Sequence, residues 1–231
     1  MKTQVLTLAA SFITASILAA DSSPADTVKA AAKALGGKDN YSWKTTIEFG
    51  NNEGTVEGKA EKDGATLLTI SGGDQSTDAA LKGGKSALKV EGAWKTLAEA
   101  AEEGQPGAAR FISRMLQNFK APAAEAEDIA GKVKELKLAE GVYSGDLTEE
   151  GVKSLLRWRR AGGTPPEVTG AKGSAKFWVK DGALTKYEYK LEGTMTINGN
   201  ERDVSRKNTV EIKDVGTTKV NVPEEAAKKL S

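Results

Sequence analysis

Tyr41, Trp43, Thr45, Ile47 and Phe49 fall on one side of an alternating ribbon, and Ser42, Lys44, Thr46 and Glu48 on the other. Alternation with period two predicts a half-buried strand. Asn51-Asn52-Glu53-Gly54 predicts a turn, after which Val56, Gly58 and Ala60 alternate with Thr55, Glu57, Lys59 and Glu61. Asp63-Gly64, Gly72-Gly73-Asp74 and Gly83-Gly84-Lys85 punctuate further ribbons that end near Trp94. Connections this short join neighbouring antiparallel strands, so the first half of the chain reads as a meander.

The period changes at both ends of that region. Before it, Val28, Ala31, Ala32 and Leu35 form a helical stripe; Ser23 stands at the capping position, Pro24 at the first helical one, and Gly36-Gly37 at the stop. After it, Phe111, Ile112, Met115, Leu116 and Phe119 make an apolar helical face between Pro106-Gly107 and Pro122. A short helix is expected over Ala123–Ala130 and a strand over Val133–Ser144. Asp146 or Thr148 caps a third helix, with Glu149 and Glu150 in its first turn and Arg157, Arg159 and Arg160 in its last, which suits the helix dipole. Its stripe is Val152, Leu155 and Leu156, with Trp158 a further candidate.

Gly162-Gly163-Thr164-Pro165-Pro166 reads as a loop within one domain. Strands return beyond it. Phe177 and Val179 alternate with Lys176, Trp178 and Lys180 up to an Asp181-Gly182 turn. A long strand then carries Tyr187, Tyr189, Leu191, Gly193, Met195 and Ile197 on one face and Lys186, Glu188, Lys190, Glu192, Thr194 and Thr196 on the other. Asn198-Gly199 is a strong hairpin signal. Val204, Val210 and Ile212 mark the return strand, and Val220 and Val222 a last one closed by Pro223. Each long strand has one charged face. Such a sheet buries its other face once, and a long twisted one curls around what covers it; the natural cover is the set of middle helices.

The first twenty residues follow another logic. Met1-Lys2 supplies one positive charge, Val5 to Ala20 carries none, and Ala19-Ala20 precedes the polar Asp21-Ser22-Ser23-Pro24. That layout predicts a signal peptide over 1–20, cleaved after Ala20, and a single exported domain over 21–231. The competing reading is an uncleaved anchor, but the run is shorter than the roughly 20 residues a span needs. No permanent membrane anchor is expected after cleavage, and the exit lacks the cysteine that lipid modification requires.

Composition narrows the chemistry. The 231 residues include no cysteine and no histidine, which excludes Cys/His zinc sites, disulfides, thiol nucleophiles and imidazole-dependent triads. Removing Lys2 with the leader leaves 32 basic residues against 32 acidic ones. A formally neutral chain has no long-range attraction to nucleic acid or anionic lipid surfaces, so no nucleic-acid partner is expected.

Three segments carry a resemblance: Gly141–Leu156 (GVYSGDLTEEGVKSLL), Lys176–Leu191 (KFWVKDGALTKYEYKL) and Asp214–Pro223 (DVGTTKVNVP). With the element order from Tyr41 to Pro223, they resemble the bacterial lipoprotein-carrier superfamily, which includes LolA- and LolB-type periplasmic carriers and mycobacterial LppX/LprG-type lipid carriers. The same segments are similar to secreted bacterial proteins without an assigned activity. The resemblance implies an α+β fold in which a curled antiparallel sheet, an incomplete barrel, wraps a few helices. It implies a non-enzymatic periplasmic or extracellular protein that holds a lipid, an acyl chain or a lipidated partner. An alternative on the same scaffold is a protein-interaction or envelope-stress sensor domain with a filled core.

Trp43, Ile47, Phe49, Tyr187, Tyr189, Leu191 and Met195 share inward faces and are the cavity candidates; plain core packing is the competing reading of each. Gly58, Ala60 and Gly193 either widen such a cavity or allow close packing. Other patterns give weaker signals. Ser86-Ala87-Leu88-Lys89 has the Ser-x-x-Lys spacing of acyl-serine hydrolases but sits in a strand, where that spacing points the two side chains apart. The carboxylates at Glu99–Glu103 and Glu125–Asp128 read as solvated surface, and Arg157-Trp158-Arg159-Arg160 as a helix C-terminus meeting its dipole or a headgroup at a cavity mouth. No catalytic residue, metal or cofactor is assigned.

Overall fold

The computed structural model describes residues 22–102, 107–156, 166–197 and 199–231. The leader, the Arg157–Arg160 cluster with Trp158, most of the 162–166 loop, Pro106 and Asn198 lie outside the described residues.

Helix α1 (Pro24–Gly36) begins as its sequence dictates: Ser23 Oγ accepts from the Asp26 amide at 3.2 Å, and Val28, Ala31, Ala32 and Leu35 are all buried. Strands β1 (Asn40–Phe49), β2 (Asn52–Glu61), β3 (Thr66–Gly72), β4 (Gln75–Lys82), β5 (Lys85–Val90) and β6 (Ala93–Thr96) follow as successive antiparallel hairpins. The β4–β5 turn requires positive φ at both Gly83 (58°) and Gly84 (78°), the geometry that matches strand twist. Helices α2 (Leu97–Glu102), α3 (Gly107–Gln117) and α4 (Pro122–Ala130) come next, then β7 (Lys137–Ala139), β8 (Val142–Asp146) and α5 (Glu149–Leu156). Thr148 caps α5 by accepting from the Gly151 amide at 3.0 Å. Strands β9 (Glu167–Lys180), β10 (Ala183–Ile197) and β11 (Asn200–Lys213) are the longest, and α6 (Glu224–Leu230) closes the order.

All eleven strands belong to one sheet in the order β6-β5-β4-β3-β2-β1-β11-β10-β9-β8-β7, with antiparallel neighbours throughout. β6 and β7 are its two edges, so the sheet is open. A single core cluster joins Val56, Leu68 and Leu88 from one wing, Phe177, Tyr187 and Leu191 from the other, and the stripes of α1, α4 and α5. Both wings therefore feed one core, with α1 and α5 packed against β9 and β10 and with α2 and α3 against β5. α1 lies against α4, β9 and β10, so the amino-terminal helix takes a central part in the cover expected of the middle helices alone. The other face of the long strands is charged, with pairs such as Lys207–Glu48 at 3.0 Å and Lys172–Glu192 at 3.1 Å. Exposed pairs of this kind keep the face soluble and add little stability.

Two expectations are corrected. The single strand over Val133–Ser144 is a hairpin, β7 and β8, because Glu140 and Gly141 both take positive φ (51° and 79°) and reverse the chain. The last strand over Val220 and Val222 does not form. The Val220 amide donates to a Glu61 carboxylate oxygen at 3.1 Å in place of a ladder partner, and beyond Pro223 the chain turns into α6. That helix sets Ala226 and Leu230 on Ala80, Ala87 and Trp94, on the side of the sheet away from the main core. Strands β4 and β5 are thus covered on both faces, which is why the adjacent pairs Ala79/Ala80 and Ala87/Leu88 are all fully buried.

Candidate ligand-binding groove

A groove of about 640 Å³ opens where the last turn of α1, the ends of β2 to β5 and the α3–α4 connection meet. Ala32, Tyr41, Ala60 and Leu116 form its buried base, and Leu81 and Phe119 are the half-buried walls. Phe119 follows the end of α3, its amide still bonded to the Leu116 carbonyl at 3.3 Å. Its ring stacks on Trp43 with centroids 6.2 Å apart and planes 23° from parallel. Trp43 in turn tilts against Tyr41 at 5.7 Å. An aromatic row therefore runs from the groove wall into the core. Burial raises the Tyr41 phenol above its ordinary pKa, with the Ala123 backbone amide acting the other way. Lys33, Lys38, Lys62, Lys82 and Lys85 stand around the rim, with Glu61 and Glu127 among them.

None of the seven cavity candidates lines this groove. Trp43 lies one ring behind its wall. Tyr187 and Leu191 are fully buried, and Tyr189 and Met195 nearly so, in the shared core. Ile47 is half-buried against that core, while Phe49, at the end of β1, is 45% exposed. Register keeps the candidates on one face: Ile47 and Tyr189 flank Asn208, and Phe49 and Leu191 flank Arg206. Among the small residues, Ala60 reaches the groove. Gly58 lies under the Trp43 indole, and Gly193 lies against the Val168 side chain and the Thr169 carbonyl, so these two permit close packing.

The carboxylates read as surface include one that is not. Glu125 turns inward and accepts hydrogen bonds from the Tyr187 hydroxyl at 2.5 Å and the Tyr189 hydroxyl at 3.0 Å. Burial raises its pKa above the ordinary carboxylate value, against the opposing pull of the two tyrosines, Arg206 and Lys120. Burial, followed by the nearby Glu125 charge, pushes both phenols up. The signal was available: Pro122, Glu125, Ala126 and Ile129 share one helical face, and only Glu125 on it is charged. Its neighbours behave as expected, with Glu127 3.5 Å from Lys33 and Asp128 paired to Lys120 at 2.9 Å and to Lys132.

Other features hold less. A second groove of about 450 Å³ beside α5 is lined by Lys134, Asp146, Glu149, Lys172, Lys190 and Glu192, where Lys172 and Lys190 both pair with Glu192 and Glu149 pairs with Lys153. Ser86 and Lys89 stand three apart on β5 and so point to opposite faces. Among the described residues no three acidic groups cluster as a metal site would require, and no helix is long and apolar enough to cross a membrane.

The architecture defined by these elements is an open antiparallel sheet with one face covered by most of the helices and α6 on the other face at β4–β6. No family model matches the chain, and no curated protein matches it. Among solved structures it is similar to LprF from Mycobacterium bovis, at 11% identity and a TM-score of 0.45, over 88% of this chain and 97% of that one.

Proposed function

We propose that the chain is an exported, non-enzymatic binding protein that holds an acyl chain, free or on a lipid or lipidated partner, between its sheet and helices in the manner of the lipoprotein carriers. The observation that carries this reading is the groove between α1, the β2–β5 ends and the α3–α4 connection. Its volume falls within the range of sites for small ligands, and Ala32, Ala60, Leu81, Leu116 and Phe119 give it an apolar strip among polar lining residues. In this reading the open sheet is a half-barrel, its helices are the filling, and the groove is where the filling leaves room. Each methylene a ligand buries there contributes about 0.8 kcal/mol, so a chain of a dozen carbons suffices for useful affinity. Trp43, Tyr187, Tyr189, Leu191 and Met195 then serve as the wall against which the helices pack, and Phe119 separates the ligand from Trp43.

Native mass spectrometry of the purified chain, followed by titration with a fluorescent fatty acid, tests the reading. Co-purifying lipid or saturable uptake supports it; the absence of both overturns it. A second reading is favoured by the tight burial of Tyr187, Phe177 and Leu191, which fills the sheet's inner face. It makes the chain a protein-interaction or stress-sensor domain without a ligand, and specific capture of one envelope partner by lipid-free protein distinguishes it.

A further inference from the structure

Five lysines and two carboxylates surround a groove with an apolar strip in a chain whose charges nearly balance overall, and the geometry points to an anionic amphiphile as the occupant, its tail against Leu81 and Phe119 and its headgroup among the rim ammonium groups. This rests on the proposed binding role of the groove and adds the class of ligand. The lysines are not equivalent. Lys33 lies 3.5 Å from Glu127, Lys82 lies 3.0 Å from Asp63, and Lys85 donates to the Ser231 main-chain oxygen. Lys38 and Lys62 are exposed and have no ion-pair partner among the described residues. Of the carboxylates adjacent to them in sequence, Glu61 accepts from the Val220 amide at 3.1 Å, Asp63 pairs with Lys82 at 3.0 Å, and Asp39 follows Lys38 directly. Two unmatched ammonium groups thus stand beside an apolar wall, which is the arrangement an acid headgroup on an alkyl tail complements. Because both are solvated, their effect is modest and screened by salt: together they favour an anion over a matched neutral ligand by roughly tenfold at low ionic strength.

The test is a binding comparison of three probes with the same tail, dodecanoate, monododecanoyl glycerol and dodecyltrimethylammonium, on the full chain at pH 8. The inference expects dodecanoate to bind about tenfold tighter than the glycerol ester and the cation weakest, with the differences shrinking several-fold between 20 mM and 500 mM salt. The double variant Lys38→Glu/Lys62→Glu is expected to abolish or invert the order of the three probes. Equal affinity for all three probes, or an order that survives the charge reversal, overturns the anionic assignment and leaves the binding role standing. Failure of all three to bind overturns both. The salt series on the unaltered chain decides the matter without any variant, since a charge preference that salt does not weaken contradicts the assignment.

Discussion

The six-membered edge of the Trp43 indole lies over the bare backbone of Gly58, its cross-strand partner: a Cβ added to Gly58 would stand 2.0 Å from the indole Cζ2. The two residues form one unit, in which the glycine supplies the space that the ring fills and the ring carries the contact onward to Phe119. Gly58→Ala is therefore expected to destabilise the fold by about 2 kcal/mol, as overpacking does. Trp43→Phe in the same chain is expected to restore much of the loss, because the smaller ring clears the new methyl. Urea unfolding of the single and double variants measures both; additive losses would separate the two residues.

Glu125 gives a pH dependence of unusual sign. Its folded pKa is raised, so between the ordinary carboxylate pKa and that raised value the folded state binds more protons than the unfolded one. Its contribution favours folding at the acid end of that window and is lost as pH rises through the folded pKa. Glu125→Gln is expected to remove this component, leaving a urea midpoint at pH 7.5 no lower than that of the parent and less change between pH 5 and 8. Glu125→Ala strands two buried tyrosine hydroxyls and is expected to cost about 2 kcal/mol.

The opposite sign belongs to Glu99. Lys229 at 2.6 Å, together with the Thr96 amide, holds its carboxyl down at about 2. The contribution is present above the ordinary carboxylate pKa and disappears as pH falls towards 2, and with it one tie between α2 and α6. Hydrogen exchange over residues 224–230 is expected to accelerate below pH 4 before the long strands do. Leu230→Ala, which removes the larger apolar anchor of α6 on Trp94, is expected to produce the same local opening at neutral pH at a cost of about 2 kcal/mol.

Asn208 sits on β11, 7% exposed, with its side-chain oxygen unpartnered between Ile47 and Tyr189. Asn208→Leu is expected to be neutral or to stabilise by up to about 1 kcal/mol, since it removes a buried acceptor that gains nothing in return. Thermal unfolding reads the outcome, and a loss above that size would show that the amide has a structural role.

Local rules account for much of this fold. The cap at Ser23, the stripe of α1, the alternation of β1 and β10 and the reversal at Asp181-Gly182 each follow from residues within a few positions of one another. What was not legible depended on distant partners. Val220 and Val222 alternate like a strand, yet the amide of Val220 is taken by Glu61, and α6 is too short to announce itself. The inward faces of β1 and β10 were readable, but which of their residues the helices would cover was not. Phe49 and Tyr189 share a face; one is exposed at a strand end and the other is sealed beneath Glu125. The groove lies where three separate segments fall short of one another, and no periodicity records that.

In the proposed binding mode an acyl chain lies beside Phe119, one ring away from Trp43. A variant with Trp94, Trp158 and Trp178 replaced by phenylalanine leaves Trp43 as the sole indole, and a dodecanoate brominated near its tail reports proximity by quenching its emission. Saturable quenching, displaced by unlabelled dodecanoate and lost on Leu81→Arg, is the predicted result. Unchanged Trp43 emission at ligand concentrations that saturate binding would contradict it.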